Sequence, residues 1–504
     1  MSDSLKSLLE LGRRNPIHVA ALSVLLLTTF WMDLATLTQY PIAVGVDGYY
    51  YVLQVDHLWT TGNLYFATPT PLVLYYLAAL KFLIPDTVLA IKIGACLLHA
   101  LLAIGIFLLA KELTRSFWLG FISALIVAIT RSRFYFEAEF LNNLGSIVLL
   151  VWCGWSLCRL VASRRRKWLY LSLALFGASV VSHRSAVIVA VVFAVLLLLL
   201  RKAITGTQNQ KIVAIVIMSL VWLTPAILAN RSLILEFIHS TNELRRWPAW
   251  PIAGALFADE LLLFVTATAM LIVLGLLARK SKLTASHYVF GCIALYSLLI
   301  TLNPFFNPET GLTGLAGRVR VLSYIQSAVM VSGLVLTAYS LLPALPAYLA
   351  ATLLPLIAFC IVSPLPLGLS TGYLARRVRL IEGLQLHAPE LGAATFVVAS
   401  HGDQFVVRNF TGISSAQRPP ETNVFPAVYW LINESSEEST LVPASVLIAK
   451  TGGGRISLIE DASLSARLKS ISQFERLQLF NVNPHLRRTF ESRAVRLSSE
   501  SARK

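Results

Sequence analysis

"PLVLYYLAALKFLI", Pro71 to Ile84, is an apolar run of fourteen residues broken by one lysine. A helix that crosses a bilayer needs roughly 20 such residues, with about 17 as the lower limit. The run is therefore either a short span or a helix lying in the membrane interface, and the choice sets the sidedness of everything after it. Pro69 and Pro71 stand at its start, where a missing backbone N–H costs little. With an interfacial helix here, the next run, Thr87 to Ala110, goes inward and delivers Lys111 and Arg115 to the cytoplasm. Three later basic clusters then fall on the same side: Arg164, Arg165, Arg166 and Lys167; Arg201, Lys202 and Lys211; Arg279, Lys280 and Lys282. A spanning segment would invert all of them, so the charge selects the interfacial helix. Arg245 and Arg246, and Arg376, Arg377 and Arg379, end up outside on this reading, in longer segments where the positive-inside tendency is weaker.

The composition agrees with a membrane protein. The 504 residues are 56% hydrophobic and 13% charged, with mean hydropathy +0.70, far from the balance of a soluble domain. Formal net charge +16 comes largely from short basic clusters between apolar runs, which reads as topology and gives no nucleic-acid surface. The five cysteines, Cys96, Cys153, Cys158, Cys292 and Cys360, lie in apolar segments and behave as small hydrophobes, with no disulfide framework or metal-binding pair. Lys6, Arg13 and Arg14 precede the first run, Ile17 to about Leu37, which is long enough to span and ends in no cleavage pattern. A retained anchor with a cytoplasmic N-terminus is expected.

The expected spans are Ile17 to Leu37, Thr87 to Ala110, Phe117 to Ile129, Leu144 to Val161, Trp168 to Val181, Val187 to Leu200, Ile212 to Leu228, Glu260 to Leu277, Tyr288 to Leu302, Val321 to Leu341 and Ala344 to Ile361. Beyond them Phe396 to Ser400, Phe405 to Phe410, Val428 to Ile432, Ser445 to Lys450 and Arg455 to Ile459 read as short strands between turn residues. The fold class is thus mostly α: a polytopic helix bundle of about eleven spans (residues 1–374), then a small α/β or α+β extracytoplasmic domain (375–504) with a polar tail after Arg496. The expected setting is the cytoplasmic membrane of a cell envelope, with site and C-terminus outside.

Four sets of polar residues gather on the outer face. The first is Asp47, in "VGVDGYYYVLQVDHL", with Asp56 and His57. Tyr51, Val55 and Leu58 form an apolar stripe on the helix that follows, and Asp47 taken alone reads as its N-cap. The second is Glu137 and Glu139 in "TRSRFYFEAEFLNN": they either hold a divalent cation or position an acceptor hydroxyl, or form a charged loop neutralised by Arg131 and Arg133. The third is a set of cations near outer span ends: Lys92, His183, Arg184, Arg318 and Arg320. A guanidinium at that depth matches a phosphate, whereas snorkelling to headgroups is the plainer reading for Lys92 and Arg320. The fourth is "NPFFNPETGLTGLAGR", Asn303 to Arg318, a loop that covers a site or merely joins two helices.

In their order and sidedness these features resemble the GT-C superfamily of membrane glycosyltransferases, which includes protein O-mannosyltransferases, aminoarabinose transferases and oligosaccharyltransferase catalytic subunits. The matching residues are Asp47 followed by aromatics in "VDGYYY", Gly62, the proline-led helix "PTPLVLYYLAALKFLIP", Lys92 in "LAIKIGACLL", and Glu137 or Glu139 in "SRFYFEAEF". "AGRVRVLSYIQSA" is similar to the segment whose arginine faces the donor phosphate. The likeness covers about the first 200 residues. It implies a polyprenyl-phosphate-linked sugar donor, Asp47 as the base that takes the acceptor's proton, and basic residues around the leaving phosphate. The acceptor would be a glycan, lipid or protein. Glu replaces Asp in the second motif and the first loop lacks the Asp-Glu pair of some members, which leaves a requirement for a divalent cation open.

A transporter or flippase is the competing class, and a non-catalytic scaffold a third. Few charges stand at mid-span and there is no internal repeat, against a transport path; Asp33 is its main candidate residue.

Overall fold

A computed structural model describes residues 16–183, 185–205, 207, 258–279, 283–301, 322–362, 367–387, 395–398, 402–416, 427–433 and 439–443. The chain divides into two units, Met1–Thr38, Thr68–Leu77 and Lys92–Pro366 in one, and Gln39–Ala67, Ala78–Ile91 and Leu367–Lys504 in the other.

The helices in chain order are α1 (Pro16–Leu37), α2 (Gly48–Thr61), α3 (Leu72–Leu83), α4 (Thr87–Thr114), α5 (Phe117–Ile129), α6 (Arg133–Ala138), α7 (Leu141–Ser163), α8 (Arg166–Ser182) and α9 (Ser185–Thr205). They continue with α10 (Ala258–Arg279), α11 (Ala285–Thr301), α12 (Ser323–Leu341), α13 (Leu345–Val362), α14 (Thr371–His387) and α15 (Asp403–Thr411). The expected span at Ile212 to Leu228 lies outside the described residues; the other expected spans are helices with ends close to those read from the sequence. Pro16–Leu37, Thr87–Thr114, Leu141–Ser163, Asp259–Arg279 and Ser323–Leu341 are long and apolar enough to cross a membrane. The protein is an integral membrane protein. The proline-led stretch is a helix of twelve residues, α3, short of a span.

In the first unit, helices meet through small residues and hydroxyls, the contacts that hold helices together where lipid removes the hydrophobic drive. Ser146 and Ser179 share a hydrogen bond of 2.9 Å between α7 and α8, and Ser156 with Ser172 one of 2.6 Å. Ser123 on α5 reaches Ser332 on α12 at 2.8 Å. Gly333 gives the Phe290 ring its place: a Cβ there would lie 2.4 Å from the ring.

The segment Thr130 to Asn143, expected as a loop between two spans, instead folds into α6 and the start of α7. Its aromatics explain this, because Phe134 and Phe136 are buried and draw the chain inward. With them go Arg133 and Glu137, one helical turn apart and both buried.

The second unit carries α2, α14, α15 and a four-stranded sheet in the order β2-β1-β3-β4. The strands are β1 (Thr395–Val398), β2 (Ser414–Ala416), β3 (Ala427–Asn433) and β4 (Ser439–Pro443). Phe396 pairs in parallel with Ser414 on one side and Val428 on the other, and β3 runs antiparallel to β4, with Trp430 opposite Val442. The expected strands at Phe396 and Val428 are present. Phe405 to Phe410, however, is a helix and not a strand. Asp403, Val406 and Val407 recur at helical spacing and are buried, and Gly412 (φ +67°) closes the helix through its N–H to the Arg408 carbonyl at 3.0 Å. Local β preference yields to capping and burial. The expected strands Ser445 to Lys450 and Arg455 to Ile459, and the tail, lie outside the described residues.

Candidate functional site

Asp47 occupies the residue before α2, at φ −89° and ψ 7°, and its side chain makes no capping hydrogen bond. Its backbone carbonyl, not its carboxylate, starts the helix, accepting from the Tyr50 N–H at 3.0 Å. Asp47 is half-buried with its Oδ1 buried, and its carboxylate does not cap α2. Helix α2 is fixed around it: Tyr51, Val55 and Leu58, the stripe read as facing an interface, are buried within the protein, and Gly62 (φ +76°) ends the helix with its N–H on the Leu58 carbonyl at 3.0 Å. Asp56 pairs with Lys81 and accepts from the Thr87 hydroxyl at 2.5 Å, so it serves α2 rather than standing free in solvent.

The first unit holds a buried ionic cluster. Arg133 Nε donates to Asp33 Oδ1 at 2.7 Å, and its Nη1 to the Thr130 carbonyl at 3.0 Å. The guanidinium also lies 4.2 Å from the centre of the Phe134 ring. His99 Nδ1 is 2.7 Å from Asp33 Oδ2 and 3.2 Å from Glu137 Oε1, and Arg133 Nε is 3.8 Å from that same oxygen. The side chains of Asp33, His99 and Glu137 have no solvent exposure. Two carboxylates therefore share one guanidinium and one imidazole in a dry setting, where a surplus negative charge is costly.

The structure thus brings Glu137 together with Asp33, His99 and Arg133. Glu139, also buried, sits at the C-terminal end of α6, where its N–H bonds the Tyr135 carbonyl at 3.0 Å. Lys92 is buried on α4, and His183 is half-buried at the end of α8 with its N–H on the Ser179 carbonyl at 2.9 Å. Arg184, Arg318 and Arg320, and the loop Asn303 to Arg318, lie outside the described residues.

Sequence reasoning missed His99 altogether. A signal existed: Lys92, Cys96 and His99 recur at helical spacing in an apolar run, and polar residues inside a span mark a partner. His99 stands near the middle of α4, buried beside Asp33, the residue already singled out for a transport path; Asp259 is buried in the first turn of α10. Asp259 accepts from the Ser132 hydroxyl.

The Glu137 carboxyl is held well above the ordinary carboxylate range, chiefly by burial and then by neighbouring Asp33, with Arg133 opposing. A raised folded pKa means the native state binds the proton more tightly than the unfolded chain. Its contribution to stability is full below the ordinary value of 4.5 and is lost as pH rises through the folded value. Chelator-treated Glu137→Gln protein is expected to lose this downward slope in melting temperature above that pH, while wild type keeps it. Parallel profiles would assign the slope elsewhere.

Both Glu137 oxygens and His99 Nε2 lack hydrogen bonds. The donor atoms of Asp33, His99 and Glu137 lie within 4.8 Å of one another, and an imidazole with two carboxylates suits a divalent transition metal. The residues fit such an ion.

The model of the dolichyl-phosphate-mannose-protein mannosyltransferase family matches residues 69–228. No curated protein matches. Among solved structures, the Archaeoglobus fulgidus oligosaccharyltransferase tethered to an acceptor peptide containing the NVT sequon is similar with TM-score 0.50 and 11% identity, over 80% of this chain and 64% of that one. The same enzyme in its apo form gives TM-score 0.49 and 12% identity over 79% and 64%. The Archaeoglobus fulgidus oligosaccharyltransferase AglB, in complex with an inhibitory peptide and a dolichol-phosphate, gives 0.48 and 13% over 80% and 64%. The chain thus spans 64% of the length of each of these structures.

Proposed function

We propose that this chain, an integral membrane protein of the GT-C fold, moves a sugar from a polyprenyl-phosphate carrier to an acceptor hydroxyl on the outer face of the membrane. One observation carries the reading: an aspartate stands at the start of α2 with its carboxylate not used as a cap, in the sequence setting where such enzymes keep their base.

In the proposed reaction Asp47 accepts the proton of the acceptor hydroxyl. The hydroxyl oxygen bonds to the anomeric carbon, the bond from that carbon to the phosphate oxygen breaks, and polyprenyl phosphate leaves with the electron pair. Cations near outer span ends, Lys92, His183, Arg184, Arg318 and Arg320, are proposed to meet the charge that builds on the phosphate. The sugar is a hexose or a pentose, and the acceptor a glycan, lipid or protein. A divalent cation would be held by Asp33, His99 and Glu137, where its charge offsets the surplus carboxylate. Metal analysis of the purified protein is expected to find about one equivalent of zinc or manganese, lost in His99→Ala, as for a site with three protein ligands. No bound metal in wild type would leave a proton as the counter-charge.

The buried charges of α1 and α4 favour a second reading, transport of a lipid-linked or small polar substrate. Sealed proteoliposomes carrying the donor separate the two. A transferase releases one polyprenyl phosphate per sugar bonded to the acceptor; a transporter relocates the donor unchanged.

A further inference from the structure

The arginines near residue 377 are poorly explained by topology, since they fall on the outer side where basic residues are sparse. The second unit gives Arg377 a task. Although on an amphipathic helix, α14, it is buried at 2% exposure. Its Nη1 donates to the Gly45 carbonyl and its Nη2 to the Val46 carbonyl at 3.4 Å. These are the two residues directly before Asp47. The guanidinium stacks on Tyr373 at 4.8 Å and lies 3.8 Å from Asp403, which supplies the compensating charge a buried cation needs.

The same short stretch is gripped from other directions. Gly402 has φ +91°, and a Cβ there would stand 2.6 Å from the Val46 carbonyl oxygen, so only glycine admits this approach. Gly45 donates its N–H to the Gly368 carbonyl at 3.1 Å. Just after Asp47, Tyr49 packs edge-on against Phe410 of α15, ring centres 5.2 Å apart. Contacts from α14, from α15 and from the turn before α14 thus converge on Gly45 to Tyr49.

We propose that Arg377, backed by Asp403 and Gly402, is the positioning residue for Asp47, so that the C-terminal segment serves to hold the base at its angle of attack. The proposal rests on Asp47 acting as base in the function proposed above. A base must stay within hydrogen-bond reach of the acceptor, and a misplacement of about 1 Å costs on the order of 100-fold in rate. A lysine keeps the charge but cannot fork to two carbonyls.

The test uses the full-length protein in lipid and compares wild type, Asp47→Asn, Arg377→Gln, Arg377→Lys and Gly402→Ala. Steady-state rates are read beside hydrogen exchange of the amides from Gly45 to Tyr51. Arg377→Gln is expected to speed exchange in that stretch alone and to lower kcat about 100-fold, with KM for the donor changed by less than about threefold. Arg377→Lys recovers part of the rate, and Gly402→Ala, which alters no charge, reproduces the local exchange and the kcat loss. Wild-type exchange and turnover in both Arg377→Gln and Gly402→Ala, with Asp47→Asn inactive, would overturn the positioning role alone. So would a rate loss that only follows a fall in folded protein. Full activity in Asp47→Asn would remove the base itself, and with it the role of Arg377.

Discussion

Asp47→Asn protein inserts and folds as wild type does but transfers sugar about 10²- to 10⁴-fold more slowly, the range a positioned base contributes. The substitution isolates the proton acceptor. Asparagine matches aspartate in size and is as good an N-cap, and the side chain makes no capping bond in any case. A loss of rate therefore cannot be blamed on a frayed α2. Initial rates at saturating donor, set beside melting temperatures, read the result. Turnover within about threefold of wild type is too little for a lost general base and would shift attention to Glu137 and Glu139.

The second large effect is on stability. Arg133→Met is expected to cost about 3 to 5 kcal/mol, the usual penalty for removing one partner from a buried ion pair. Asp33 would lose its 2.7 Å donor and Glu137 its nearest guanidinium, both side chains being sealed from water. A second change, Glu137→Gln, takes away the other carboxyl that Arg133 served and so recovers part of the loss; Asp33→Asn alone costs less than Arg133→Met, because Arg133 keeps Glu137 as a neighbour. Unfolding in mixed detergent measures all four proteins. A cost below about 1 kcal/mol for Arg133→Met, typical of an exposed pair, would mean that water or an ion reaches the cluster.

The long helices were legible because an apolar run of sufficient length has few alternatives in a bilayer. Ser116 and Arg164 bound helices that hydropathy alone located well: the Ser116 side chain accepts from the Leu119 N–H at 3.4 Å, and Arg164 closes α7 at φ +53°. The reading of Phe405 to Phe410 failed because a run of β-favouring side chains says nothing of Gly402 and Gly412, which cap it as a helix. The site was half legible. Local pattern singled out Asp47 and Glu137 as candidates, but Asp33 and His99, 66 residues apart and bonded to each other, meet only through tertiary structure. The grip of Arg377 on Gly45 and Val46 spans more than 300 positions, |i−j| 331 and 332, beyond any local periodicity.

Sugar transfer from a panel of polyprenyl-phosphate sugars, by purified protein in lipid with candidate acceptors, tests the central claim most directly. The account predicts that at least one donor gives a new glycosidic product with equimolar polyprenyl phosphate. Donors that remain intact throughout, or that cross the bilayer unchanged, would contradict it.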